Sequence, residues 1–199
     1  FVENDVPWIP ANGEPLDSAF VAQAGADPVF LSYPMRSHRC DLAIRSGATA
    51  LFSALAEALE QRKQRIDPSR RERVAGRAEE QRRGTADARR AALVGSGPIT
   101  VEFLSAVLGS VLHEDCVLFN EYWGMRQMFA PARPGSYFYL PATGGLGWAL
   151  PAAIGAKVHA PERTMVAAIG DGTYMFSNPV ACHHASHKHG LPVLTVIAN

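Results

Sequence analysis

The stretch "TMVAAIGDGTYMFSNPVACHHASHKHGLPVLTVIAN", residues 164–199, decides how the chain folds. It opens with six largely apolar residues and closes with "PVLTVIA", and both runs have the length and composition of a strand buried on two faces. Between them Asn178 and Pro179 read as the N-cap and first residue of a helix, which Gly190 and Pro192 then stop. Strand, helix and strand in that order make a βαβ unit with parallel strands. Asp171 and Asn199 therefore share the carboxyl edge of one sheet. On neighbouring or next-neighbouring strands they stand roughly 5 to 10 Å apart, within reach of one cation.

The residue types select the ion. A carboxylate and an amide carbonyl are hard oxygen ligands, and magnesium takes one or two such groups together with water and phosphate oxygens. Gly170 and Gly172 let the backbone approach a phosphate closely, and the amides that follow can donate to its oxygens. Gly170-Asp171-Gly172 thus reads as a loop anchoring a diphosphate. The plain alternative is an ordinary turn, since Gly, Asp and Gly are common in loops.

Working upstream, "ITVEFLSAVLGSVL" reads as an amphipathic helix begun by Pro98, and "CVLFN", Cys116 to Asn120, as a buried strand. The loop "EYWGMRQMFAPARPGSYFYLPA" and the segment "TGGLGWALPAAIGAKVHA" lead into the quoted stretch. Such alternation predicts an α/β fold, a parallel sheet flanked by helices, over residues 97–199. "GGLG" lacks the G-x-G-x-x-G order of a dinucleotide fingerprint. Residues 1–59 alternate short apolar runs with "ATALFSALAEAL", a helical pattern through Leu51, Ala54, Leu55, Ala58 and Leu59. They hold too few strands to cover both faces of a sheet, as the second half of a domain would.

Residues 60–96 are different in kind. Glu60 to Arg90 holds eleven Lys or Arg and six Asp or Glu. The interleaved acids and the lack of aromatics for base stacking favour a solvated helical linker over a nucleic-acid surface. The whole chain of 199 residues has a formal net charge of zero and 47% hydrophobic residues, which excludes a disordered tail or a globally basic nucleic-acid binder. Three cysteines, Cys40, Cys116 and Cys182, form no C-x-x-C pair and read as reduced, buried thiols. No window reaches the roughly 18 apolar residues of a membrane helix, and "FVENDVPWIP" has no signal-like core, so a cytoplasmic protein without membrane partners is expected. His183 and His187 have the i, i+4 spacing of a metal pair, but a solvated helix face explains them as well.

Taken together, Gly170-Asp171-Gly172, the 26 residues that follow and Asn199 resemble the thiamine diphosphate motif of GDG followed by an asparagine pair. "RPGSYFYLPATGGLGWALPAAIGAKVHAPERTMVAAIGDG" is similar over its whole length to benzoylformate decarboxylase and its acetolactate-synthase-like relatives, and "VLFNEYWG" and "GADPVFLSYPMRS" more weakly so. The resemblance implies a thiamine diphosphate- and magnesium-dependent 2-oxoacid decarboxylase or carboligase, homodimeric or tetrameric when intact. Residues 1–59 would be the C-terminal half of a partial Rossmann-like middle domain, 60–96 a basic helical linker, and 97–199 a truncated diphosphate-binding domain. The catalytic glutamate would lie in a domain outside these residues, leaving them inactive alone.

By the same likeness Asp171 and Asn199 would bind the metal, although the family's ligand is normally the second asparagine, which would be the residue after Asn199. Gly170, Gly172 and Thr173 would line the diphosphate, with Tyr122 beside it. The Gly144 carbonyl and Gly145 would meet the aminopyrimidine, and Leu146 would be the apolar wedge that bends the cofactor. Tyr122-Trp123-Gly124 departs from the hydroxyl-rich or His-Gln versions of its loop. Leu146 leans toward benzoylformate decarboxylase, because acetolactate synthases usually place Met there. An acetolactate-synthase-like enzyme and a non-catalytic binding module of the same fold are the alternatives, and FAD in the middle domain is left open.

Overall fold

The computed structural model describes residues 1–31, 38–63, 67–94, 97–121, 123–124, 126–129, 133–139 and 145–199. They divide into two compact units, Phe1–Arg73 and Val74–Asn199. In the first, β1 (Ala22–Gly25) pairs in parallel with β2 (Leu42–Arg45). Val21, Gln23, Ala24 and Gly25 are its buried residues among those described, and Asp41 accepts from the Val21 amide at 2.7 Å. Helix α1 (Ala48–Gln61) follows the expected pattern, yet Phe52, Leu55 and Leu59 stay exposed, as two strands offer little surface to cover them. The segment "GADPVFLSYPMRS" lies partly outside the described residues.

Helix α2 (Pro68–Leu93) begins in the first unit and runs into the second. It buries no residue and is basic, and part of its charge is paired within the helix, with Glu79 bound to Arg82 at 2.8 Å and to Arg83 at 2.9 Å. These i, i+3 and i, i+4 pairs account for a polar helix standing in water.

The second unit is built on four parallel strands in the order β4-β3-β5-β6. Helix α3 (Val101–Val111) comes first, followed by β3 (Cys116–Asn120) and β4 (Tyr137–Phe138). Then come α4 (Ala149–His159), β5 (Thr164–Gly170), α5 (Asp171–Phe176), α6 (Pro179–Lys188) and β6 (Val193–Ala198). Pro98 does not begin α3. Thr100 caps it, its hydroxyl oxygen accepting from the Phe103 amide at 3.1 Å, a bond that proline cannot offer.

Strand periodicity sorts the core. Val117, Phe119, Met165, Ala167 and Ile169 face α4 and pack with Ala149, Leu150 and Ala153. Leu118, Val166 and Ala168 face the other way, against Leu108 of α3 and Phe129. All five residues of β3 and the middle five of β5 are buried, so these strands are covered on both faces. The expected sheet flanked by helices is therefore present. Of the cysteines, Cys116 alone is fully buried, and Cys40 and Cys182 are half-buried, which corrects the expectation for those two.

The chain leaves β3 toward β4 on one side and leaves β5 toward β6 on the other. Connections that depart in opposite directions open a crevice at the carboxyl ends of β3 and β5, where open α/β sheets hold their ligands. No helix among the described residues is long and apolar enough to cross a membrane.

Candidate cofactor site

Strands β5 and β6 pair in parallel, with Gly170 opposite Ala198. Asp171 and Asn199 follow these two residues, so they leave the sheet side by side on one edge, about one strand spacing of 4.8 Å apart at the backbone. Both are exposed. The Gly170-Asp171-Gly172 segment is not a loop. Gly170 ends β5 in an extended conformation and serves as N-cap, and Asp171 opens α5. The acid thereby sits in a first helical turn, where free amides favour negative charge. A Cβ on Gly172 would meet no atom within 4 Å, so the surface beside Asp171 is open. The Thr173 side chain points inward and is 6% exposed.

One helix was expected between the strands, and there are two. The chain turns at Ser177 and Asn178, and Asn178 adopts a left-handed conformation (φ 55°) before Pro179 starts α6. Asparagine tolerates that region better than most residues. Its side chain makes no capping bond, so it marks the start of α6 by backbone shape.

The glycine segment before α4 is held from both sides. Gly147 has φ 84°, and a Cβ there would lie 2.9 Å from the Ser177 nitrogen and 3.0 Å from its Cα. These are backbone atoms and cannot swing away, so only glycine fits. From the other side Glu121 reaches in, its Oε1 accepting from the Gly147 amide at 2.7 Å and its Oε2 from the Ala149 amide at 2.9 Å. Glu121 is fully buried. Leu146, one residue before Gly147, remains 43% exposed. Gly144 and Tyr122 lie outside the described residues.

Asn120, also fully buried, fixes the chain beyond β3. Its Nδ2 donates to the Gly124 carbonyl at 2.8 Å and to the Tyr137 hydroxyl at 3.0 Å, and its Oδ1 accepts from the Gly124 amide at 3.0 Å. Burial pushes the Tyr137 hydroxyl above its ordinary pKa, against the opposing pull of the Asn120 bond. Sequence reading passed over both Asn120 and Glu121 as site residues. The available signal was two adjacent polar residues straight after the apolar run "CVLF", at the end of a strand otherwise buried.

His183 bonds through Nε2 to the Tyr174 hydroxyl at 2.9 Å, and no group of three or more metal-ligating side chains occurs among the described residues. Burial raises the pKa of the Cys182 thiol, which donates to the Ser177 carbonyl at 3.2 Å. It is a packing residue in its protonated form.

Residues 120–199 match the family described as thiamine pyrophosphate enzyme, C-terminal TPP binding domain. Over that span the chain is similar to the thiamine pyrophosphate enzymes. It is 37% identical over 84 residues to benzoylformate decarboxylase of Pseudomonas aeruginosa, covering 39% of this chain and 15% of that protein. To the acetolactate synthase isozyme 2 large subunit of Escherichia coli it is 37% identical over 68 residues, 32% of this chain and 12% of the relative. A thiamine diphosphate-dependent 4-hydroxybenzoylformate decarboxylase of Rhodococcus jostii RHA1 aligns in structure with a TM-score of 0.47 and 29% identity, over 53% of this chain and 20% of that one. The matched stretches thus span no more than a fifth of any of these proteins.

Proposed function

We propose that the protein serves a thiamine diphosphate- and magnesium-dependent 2-oxoacid decarboxylase or carboligase of the benzoylformate decarboxylase kind, in the cytoplasm and as a homodimer or tetramer. The observation that carries this reading is the register of Gly170 opposite Ala198, with Asp171 and Asn199 next in line on one sheet edge. A carboxylate and an amide oxygen one strand apart suit a magnesium ion that also takes diphosphate oxygens. The open space at Gly172 suits the close approach of a phosphate, and the exposed Leu146 suits contact with a ring.

In this reading Asp171 and Asn199, or the residue after it, hold the metal. Backbone groups of Gly170, Gly172 and Thr173 bind the diphosphate, which agrees with a Thr173 side chain turned into the core. Tyr122 stands beside the diphosphate, and Gly144, Gly145 and Leu146 meet the pyrimidine. When bound, thiamine diphosphate supplies the electron sink for loss of carbon dioxide from a 2-oxoacid. Residues 1–59 then belong to a middle domain, 60–96 to a linker and 97–199 to the diphosphate-binding domain. The equal identity to the acetolactate synthase subunit supports carboligation as the second reading.

These residues alone are expected to bind the cofactor poorly, so calorimetric titration with thiamine diphosphate, with and without magnesium, tests the binding reading on a protein that also carries the domain expected to supply the glutamate. Saturable binding that requires magnesium is expected, and no binding in either condition would overturn it. With these residues joined to the domain expected to carry the catalytic glutamate, assays of carbon dioxide release from benzoylformate and pyruvate, and of acetolactate formed from pyruvate, separate the two chemistries.

A further inference from the structure

Resting on that cofactor reading, we propose that Glu121 is the positioning residue that holds the glycine segment 145–148, and Leu146 within it, in a shape ready for the cofactor. Glu121 follows β3 directly and its carboxyl group is fully buried. Its own amide donates to the Ala168 carbonyl of β5 at 2.8 Å, while its two carboxyl oxygens take the amides of Gly147 and Ala149. One residue therefore joins β3, β5 and the start of α4 at the crevice between the strand ends.

Trp148 occupies the N-cap position of α4 and makes no side-chain cap. Glu121 instead takes the amides on either side of Trp148, from 26 and 28 residues away. The free amides of a first helical turn favour a negative group, which offsets the cost of burying a carboxyl group. A serine or aspartate at position 148 would reach only the Leu150 amide, since Pro151 has no N–H, and could not replace the bonds to Gly147 and Ala149. A carboxylate sent from the strand end does more, because it sets the distance between the glycine segment and the crevice. Gly147 is pressed against the Ser177 backbone on its other side. The segment is clamped between the two before any ligand arrives, so less ordering remains to oppose binding.

The test uses Glu121→Gln, which keeps the side chain's shape but turns one acceptor into an amide donor facing an N–H. Two measurements are made, amide hydrogen exchange without ligand and thiamine diphosphate affinity with magnesium. Faster exchange at Gly147 and Ala149, with the amides of β5 unchanged, is expected together with affinity about ten-fold weaker, the size of one lost hydrogen bond to a charged group. Val166→Ala, a core truncation on the opposite sheet face, should lower the melting temperature while leaving both readouts as they are. Glu121→Asp, too short to hold both amides, should fall between wild type and Glu121→Gln.

Unchanged exchange at Gly147 and Ala149 would overturn the proposal. So would faster exchange with unaltered affinity, or an affinity loss that Val166→Ala reproduces. If the wild type binds no thiamine diphosphate, the cofactor reading fails and takes the ligand half of this proposal with it, while the exchange measurement still decides whether Glu121 holds the segment.

Discussion

Gly147 and Ser177 meet backbone to backbone, 30 positions apart in the chain, with room for a hydrogen and no more where a Cβ would stand. The contact locks the glycine segment before α4 onto the end of α5, the short helix that Asp171 opens. Two halves of the candidate site are thus braced against each other without any side chain at the point of contact.

Gly147→Ala should destabilise the protein by about 2 to 4 kcal/mol, combining a collision with rigid backbone and a left-handed φ that alanine resists. Chemical denaturation measures it. Gly172→Ala is the contrasting substitution. Its Cβ meets nothing and it lies inside α5, so stability should hold or rise by up to about 1 kcal/mol while thiamine diphosphate affinity drops.

Asp171→Asn should remove the magnesium dependence of thiamine diphosphate binding and weaken that binding at least about ten-fold, as loss of a charged ligand to a hard cation does. Because Asp171 is exposed, the far-ultraviolet circular dichroism and the melting temperature should stay close to wild type. A folded variant that binds as before would remove Asp171 from the metal site.

Gly109 lies on α3 where a Cβ would collide with the Met128 carbonyl and approach Arg89, whose guanidinium donates to the Gly109 carbonyl at 2.9 Å. Gly109→Ala should therefore cost about 1 to 3 kcal/mol even though alanine is the better helix former. A urea titration decides the sign, and a stabilised variant would show that α3 can shift.

Tyr137 makes stability depend on pH at the alkaline end. Its folded pKa is raised by burial, so the protonated hydroxyl is favoured in the folded state. That contribution is fully present below the unfolded tyrosine pKa of about 10 and is lost as pH rises through the higher folded value. Tyr137→Phe should flatten the loss above about pH 10 while costing about 1 kcal/mol at neutral pH through the missing Asn120 bond. Denaturation of both proteins across that range measures the difference.

Much of the sheet was legible beforehand. β3 was located to the residue, and β5 and β6 within one residue at their ends, because strands covered on both faces must be apolar throughout. The acidic residue after β5 and the amide after β6 were legible too, since parallel strands bring their carboxyl ends together. Capping was read less well. Thr100, not Pro98, begins α3, and the GDG segment enters a helix at once, because Gly170 completes the strand and leaves Asp171 free to turn.

Sequence alone determined β3, β5 and β6, their parallel sense and the family likeness, because burial on two faces and the spacing around Asp171 are written in consecutive residues, whereas the two-residue β4 fell in a stretch read as a loop. Only the tertiary structure decided that β5 and β6 are neighbours, that Glu121 reaches the amides of Gly147 and Ala149, and that Gly147 rests on Ser177. Those relationships join residues far apart in the chain, and a carboxylate or a glycine looks the same in sequence whatever donor or backbone folding brings against it.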